Sequence, residues 1–242
     1  PALSRQKMAS QKNRILFIDS SLEGTERKIP MNSMKIANLM AKAGEKVQGL
    51  VKVYDTETVM PITMINGRLA GKDILITAGI HGGEYPGIVA TMRIAGEINP
   101  EDVKGSITII HPVNTQSFEK RTSEIIPEDG KNLNAIFPGK KDGTLGDKIA
   151  HFIGSIQAGK DFHLDLHSGD LHEHAMPFTY FPGSCDEHIT KIAREAASSM
   201  DLQVIAEGVE TEDQRALLKS MGCNTYQGYL FGKPCRLEEL KL

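Results

Sequence analysis

Apolar and polar segments alternate along this 242-residue chain in two different periods. Short runs rich in Ile, Val, Leu and Phe have the length of buried strands, whereas longer stretches with apolar residues three or four apart have the period of a helix. The predicted strands are Asn13–Ile18, Val47–Tyr54, Val59–Ile65, Asp73–Ile80, Ser106–Pro112, Asp161–His167, Pro177–Phe181, Leu202–Ala206 and Thr225–Phe231. The predicted helices are Ser33–Ala43, Pro86–Ile98, Leu145–Gln157, Asp186–Met200 and Thr211–Met221. Alternation of this kind predicts an α/β fold with a mixed, largely parallel sheet flanked by helices.

A glycine-rich turn joins the strand at Asp73–Ile80 to the following helix, and it carries a histidine and a glutamate three residues apart, His81 and Glu84. An imidazole nitrogen and a carboxylate oxygen are ordinary zinc ligands, and a catalytic zinc takes three protein ligands with a fourth position open. His81 could instead be a plain polar turn residue, but the paired glutamate and the neighbouring glycines favour a metal site.

The predicted strand Asp161–His167 alternates strictly, so His163, Asp165 and His167 share one face. His167 ends this strand as His81 follows another, and ligands of open α/β sheets bind beyond the carboxyl ends of strands. His167 is therefore the candidate third ligand. Asp165 is expected to contact a metal-binding residue or to have a structural role, rather than to bind the metal itself. His163 is expected to be a hydrogen-bonded interior histidine.

Composition narrows the class of protein. The chain is 40% hydrophobic and 24% charged, with a formal net charge of −3. Nothing in it suggests a nucleic-acid partner, which would require a clustered basic face. No apolar run reaches the roughly 18 residues of a membrane span. The three cysteines form neither a ligand pair nor a disulfide framework. We expect a cytoplasmic protein with an N-terminal tail over residues 1–12, and a homo-oligomer is compatible with the sequence.

From residue 13 to about 200 the chain resembles the zinc carboxypeptidase superfamily, in its succinylglutamate desuccinylase/aspartoacylase branch. Ala78–Gly87 and Asp165–Gly169 resemble the two metal motifs of that branch, which implies one Zn²⁺ held by His81, Glu84 and His167. Asn132–Gly139 resembles a substrate loop with the pattern Asp-Leu-Asn-Arg-x-Phe-Pro-Gly, which implies that Asn134 contacts substrate.

The segment from Val113 to Arg121 resembles the part of the family that supplies an arginine to polarise the scissile carbonyl, although Ser123 competes for that position. The resemblance implies hydrolysis of a small N-acyl amide, such as an N-acyl amino acid, by a zinc-activated water. Ala135 stands where the family has an arginine, whose planar fork suits a carboxylate. Its loss weakens the expectation of an amino-acid carboxylate in the substrate.

Beyond residue 201 the chain resembles a different family. Leu202–Gln214 and Tyr226–Pro234 are similar to the C-terminal strand–helix–strand of EAL-domain cyclic-di-GMP phosphodiesterases. The Glu-Ala-Leu motif itself is missing, so no phosphodiesterase activity is expected. This segment replaces the C-terminal part of the zinc hydrolase family, which carries the glutamate that acts as general base. The prediction is a chimera: a C-terminally truncated hydrolase domain over 13–200, completed by an EAL-like fragment over 201–242 that packs on it.

Two functions compete on this evidence. One is an active zinc hydrolase in which Glu207, at the end of the strand Leu202–Ala206, replaces the missing base. The other is a catalytically inactive zinc-binding fold whose base was lost. Alternatively, Glu207 is only part of the sequence that the segment shares with the phosphodiesterases, and it has no role in catalysis.

Overall fold

A computed structural model describes residues 32–170, 178–182, 187–199, 203–220 and 222–232. The chain forms two compact units, residues 1–171 and 172–242, which are described separately below. The predicted strand at Asn13–Ile18 and the predicted N-terminal tail lie outside the described residues. The fusion near residue 200 stays a prediction about the origin of the sequence.

A five-stranded mixed sheet forms the centre of the first unit. Its strands are β3 (Glu45–Lys52), β4 (Val59–Asn66), β5 (Leu69–Ala78), β6 (Lys104–Ile110) and β7 (Phe162–Leu166). They lie in the order β3-β4-β6-β5-β7, in which β5 pairs in parallel with both β6 and β7, whereas β4 pairs antiparallel with β3 and β6. The predicted mixed α/β fold is confirmed.

Three α-helices connect these strands: α1 (Tyr85–Glu97), α2 (Thr115–Lys120) and α3 (Leu145–Gln157). Short 3-10 helices cover Pro100–Asp102 and Leu133–Ala135. The apolar face of α3 packs with β4 in the larger core cluster, which includes Met60, Ile62, Met64, Ile149 and Ile153. A smaller cluster contains Ile65, Ala95, Val103, Ile107 and Ile109. Each buried aliphatic side chain contributes about 1.5–3 kcal/mol to folding.

The predicted helix at Ser33–Ala43 is wrong, because the structure forms a hairpin there. Strands β1 (Met34–Ile36) and β2 (Leu39–Ala41) pair antiparallel around a turn in which Ala37 has a φ of 49°. Leu39 packs over Gly49 of β3. A Cβ atom on Gly49 would lie only 2.6 Å from the Cδ2 atom of Leu39. Apolar contacts with the sheet thus override the helical propensity of this segment.

The second unit contains β8 (Phe178–Pro182), α4 (Glu187–Ser199), β9 (Gln203–Glu207) and α5 (Glu212–Ser220). Strands β8 and β9 pair in parallel, and a small core forms from Ala206, Val209, Leu218 and Cys223. The predicted final strand at Thr225–Phe231 is wrong, since this segment makes only one bridge, between Tyr226 and Ala206, and then turns. Among the described residues, no helix is both long and apolar enough to cross a membrane.

Candidate metal centre

The turn between β5 and α1 is held close to its neighbours by two glycines. A Cβ on Gly82 would lie 2.3 Å from the backbone nitrogen of Phe118 in α2, and one on Gly83 would lie 2.1 Å from Asp170 Oδ1. A side chain at position 82 would clash with the backbone of α2 and push the turn outward, whereas one at position 83 would require the Asp170 side chain to move. His81 and Glu84 flank the glycines, with Glu84 at the position that precedes the first turn of α1.

Strand pairing brings the third predicted ligand to the same place. Ala78, the last residue of β5, is paired with Leu166, the last residue of β7. Because the two strands are parallel, the residues that follow them emerge at the same edge of the sheet. His167 follows Leu166 directly, so it lies beside the His81–Glu84 turn.

His81, Glu84 and His167 converge on one point. One donor atom from each lies within 4.8 Å of the other two, and among the described residues these are the residues that could together hold a metal ion. The Nδ1 atom of His81 is 2.8 Å from Glu84 Oε1, and the Nδ1 atom of His167 is 3.0 Å from Glu84 Oε2. The Glu84 side chain is 9% exposed and that of His167 is 34% exposed, so the site opens to solvent on the His167 side.

Each imidazole is held from behind by an oxygen atom. His81 Nε2 lies 3.1 Å from Asn132 Oδ1, and His167 Nε2 lies 2.9 Å from Asp165 Oδ2. Glu84 Oε2 also accepts a hydrogen bond from the backbone N–H of Ser168 at 3.1 Å. Such contacts keep the proton of a neutral imidazole on Nε2 and direct the Nδ1 lone pair to the shared centre.

The pKa values show how strongly this centre favours positive charge. Burial raises the pKa of Glu84, but hydrogen bonds with His167 and His81 outweigh it and lower the pKa to about 2. Burial lowers the pKa of His167, yet Asp165 and Glu84 raise it to about 10. The hydrogen bond with Glu84 also raises the pKa of His81. The carboxylates of Glu84 and Asp165 thus favour positive charge at this centre.

The donor set fits a zinc ion. Two imidazole nitrogens and one carboxylate form a common catalytic zinc ligand set. Donors on one tetrahedral zinc lie about 3.4 Å apart for bonds of about 2.1 Å, so the observed separations of 2.8 and 3.0 Å would need to widen by about half an ångström.

The other predicted site residues lie in different surroundings. Arg121 is exposed and ends α2 in a left-handed conformation, with a φ of 54°. Asn134 is exposed on the 3-10 helix that follows Asn132, and its backbone N–H donates to Asn132 Oδ1 at 2.9 Å. Glu207 is the last residue of β9 in the second unit. Their predicted roles stay predictions.

The contact between Asn132 and His81 is not among the sequence predictions. The available signal was a departure from the pattern of the substrate loop, because the family has aspartate at the position that Asn132 occupies. Asp165 was expected to contact a ligand, and it lies against His167. His163 was expected to be an interior hydrogen-bonded residue, and its Nε2 atom lies 2.8 Å from Thr77 Oγ1.

Comparison with known proteins shows which protein family the sequence matches. The family model "succinylglutamate desuccinylase/aspartoacylase catalytic domain" matches residues 70–225. The chain is 39% identical over 123 residues to N-alpha-acetyl-L-2,4-diaminobutyric acid deacetylase of Halomonas elongata, a match that covers 50% of this chain and 35% of that protein.

Several solved structures resemble the chain, and two of them illustrate the likeness. A succinylglutamate desuccinylase from Silicibacter sp. TM1040 has 29% identity and a TM-score of 0.54, over 70% of this chain and 52% of that one. The product-bound ectoine utilization protein EutE (DoeB) of Ruegeria pomeroyi has 25% identity and a TM-score of 0.59, over 81% and 62%. The chain thus spans less than two thirds of the length of these relatives.

A shorter match points to the second predicted family. The chain is 48% identical over 42 residues to the bifunctional diguanylate cyclase/cyclic di-GMP phosphodiesterase MucR of Pseudomonas aeruginosa, which is 17% of this chain and 6% of that protein. This short match is weak support for the predicted EAL-like fragment.

Proposed function

The chain belongs to the succinylglutamate desuccinylase/aspartoacylase catalytic-domain family, and we propose that it is a zinc-dependent hydrolase of small N-acyl amides. One Zn²⁺ would be held by His81, Glu84 and His167. The observation that carries this proposal is the convergence of both Nδ1 atoms on the Glu84 carboxylate while each Nε2 faces another oxygen. That arrangement presents lone pairs to a single cation.

A zinc ion bound there would supply Lewis acidity and would make water a better nucleophile near neutral pH. The protein side chains would do the remaining work. Glu84, which is buried and ionised, would balance the charge of the cation and holds both histidines in place. Arg121 would stabilise the negative charge that develops on the carbonyl oxygen.

The proposed substrate class rests on the names of the relatives and on one position at which this chain differs from the family pattern. The Halomonas elongata relative is named a deacetylase of N-acetylated diaminobutyric acid, an N-acyl amino acid. We propose the same bond type, with Asn134 contacting the substrate. Ala135 replaces the family's arginine on the same exposed 3-10 helix, so we expect weak discrimination between substrates with and without an α-carboxylate.

The proposal is tested by amine release from a panel of N-acyl amino acids and their carboxamide analogues. Turnover is expected with zinc, is lost with a chelator, and returns when zinc is restored. Turnover that persists after complete zinc removal would contradict the proposal. Arg121→Lys, which keeps the charge but loses the planar fork, is expected to lower kcat more than it changes KM.

A second candidate is a zinc-binding fold without catalysis. The short phosphodiesterase match favours it, because an EAL-like segment there would replace the family's C-terminal part with its base glutamate. The two candidates differ in turnover but not in zinc binding. Glu207→Gln tests the base: a large fall in kcat with unchanged zinc affinity supports Glu207, and full turnover removes it from the mechanism.

A further inference from the structure

Behind His167, a line of hydrogen-bonded side chains runs across two strands into the interior of the sheet. Thr77 of β5 is fully buried, and its hydroxyl oxygen lies 2.6 Å from Asp165 Oδ1 and 2.8 Å from His163 Nε2. The other carboxylate oxygen of Asp165 lies 2.9 Å from His167 Nε2. His163, Thr77, Asp165 and His167 therefore form one continuous chain of contacts, which we call the Thr77 relay.

The strand register explains why these residues meet. In the parallel pair of β5 and β7, Thr77 is the partner of Asp165 and Leu75 is the partner of His163. Residues two apart on a strand share a face, so Thr77 stands on the same face as both β7 side chains and lies between them. The hydroxyl group of Thr77 can therefore contact the side chains of both Asp165 and His163.

The direction of each hydrogen bond can be assigned from chemistry alone. An ionised carboxylate only accepts, so the Thr77 hydroxyl donates to Asp165. With its single proton used, Thr77 Oγ1 accepts from His163 Nε2–H. Burial lowers the pKa of His163, and a neutral ring has one N–H to give. At the other end of the relay, His167 donates Nε2–H to Asp165 Oδ2. Both oxygens of Asp165 thus receive a donor.

We propose that Thr77 is a positioning residue for the metal centre: its hydroxyl fixes the Asp165 carboxylate, which holds the proton of His167 on Nε2 and turns Nδ1 toward the cation. The inference rests on the zinc site proposed above. Without the hydroxyl, Asp165 Oδ1 loses its donor, and the carboxylate can rotate away from His167. His163 serves the relay by orienting the hydroxyl.

The test is zinc affinity, measured by competition with a chromogenic chelator. Thr77→Val keeps the shape but removes the hydroxyl, and it is expected to weaken zinc binding about tenfold, the lower end of the range for outer contacts of a metal site. Thr77→Ser restores the donor and should bind within about threefold of the parent protein. Thr108→Val is the matched control, because Thr108 is equally buried on the adjacent β6 and its hydroxyl faces Lys160 at 3.4 Å.

A merely structural role for Thr77 would give a different pattern. If Thr77→Val binds zinc as well as Thr108→Val, or if Thr77→Ser binds as weakly as Thr77→Val, the proposal is overturned. The relay also predicts non-additivity: in an Asp165→Asn background, Thr77→Val should cause no further loss of affinity. A full additional tenfold loss there would show that Thr77 acts by another route. Should Thr77→Val not fold, Thr77→Ala, which also removes the hydroxyl, takes its place with the same expected loss of about tenfold in zinc affinity.

His167→Ala separates this inference from the proposed function. If the parent protein binds zinc tightly and His167→Ala does not, the metal centre stands and the Thr77 variants judge the relay alone. If His167→Ala binds zinc as the parent does, both proposals fail together.

Discussion

Asn132 provides a charge test of the metal centre, because its amide oxygen stands where the family pattern has a carboxylate. In the structure Asn132 Oδ1 accepts from His81 Nε2, and Asn132 Nδ2 donates to Glu124 Oε2 at 3.2 Å. Asn132→Asp would turn the contact with His81 into a charge-assisted hydrogen bond. Such bonds exceed neutral ones by about 1 kcal/mol, which corresponds to about fivefold tighter zinc binding.

The same substitution brings two carboxylates together. The Asn132→Asp substitution would remove the N–H group that donates to Glu124 and would place a second negative charge about 3–4 Å from the Glu124 carboxylate. At an exposed position this repulsion costs about 1 kcal/mol, so it offsets the gain. We therefore expect Asn132→Asp alone to leave zinc affinity within about twofold of the parent.

The Asn132→Asp/Glu124→Gln double variant removes the repulsion and should bind zinc about fivefold more tightly. Asn132→Ala, which leaves His81 Nε2 without its acceptor, should bind about tenfold more weakly. Chelator competition at fixed pH measures all three, with Glu124→Gln alone as the control. A double variant that binds more weakly than the parent would refute the assignment of Asn132 as the residue that orients His81.

Three further predictions test the scaffold around the site. Lys46 Nζ donates to three carbonyls at the C-terminal end of α1, so Lys46→Met should lose about 2 kcal/mol in urea unfolding; an unchanged midpoint would contradict this. A hydrogen bond from Lys131 lowers the pKa of Asp147 to about 2. That stabilisation is complete above the unfolded value of about 4 and is lost as the pH falls toward 2, so the parent should lose stability more steeply than Asp147→Asn across this range. Gly82→Ala should cost about 1–3 kcal/mol through overpacking, whereas Gly154→Ala, with open space beside it in α3, should be neutral or stabilising in the same thermal melts.

The parts of the fold that sequence predicted correctly are those in which local pattern and tertiary contacts agree. The predicted helix Leu145–Gln157 has the same bounds in the structure, because the apolar residues recur with the helical period and Thr144 and Asp147 form a capping box at its start. The alternation in β7 likewise predicted which of its polar residues would stand beside His167.

The hairpin of β1 and β2 could not be predicted from its own residues. Met34, Ile36, Leu39 and Ala41 satisfy a helical pattern as well as two short alternating strands. The choice is made by partners distant in sequence: Gly49 leaves a slot for Leu39, and Asn66 donates its side-chain N–H to the carbonyl of Ala41 at 3.1 Å. Neither partner lies within the window in which periodicity is read.

Some residues of the candidate site could likewise be predicted from local sequence, and others could not. His81 and Glu84 are local in sequence, and the end of a strand marks His167. Thr77 and Asn132 are not marked in this way, because a buried threonine in a strand and an asparagine in a loop are common residues without metal-site spacing. Their role depends on strand register and on the position of a long loop, which only the folded structure supplies.

Zinc binding by the parent protein, compared with its His81→Ala and His167→Ala variants, tests the central claim most directly. After dialysis against buffer that contains zinc and then against metal-free buffer, the parent is expected to retain one zinc ion per chain, and each variant less than about a tenth of that. Retention of a full equivalent by both variants, or of none by the folded parent, would contradict the assignment of His81, Glu84 and His167 as its ligands.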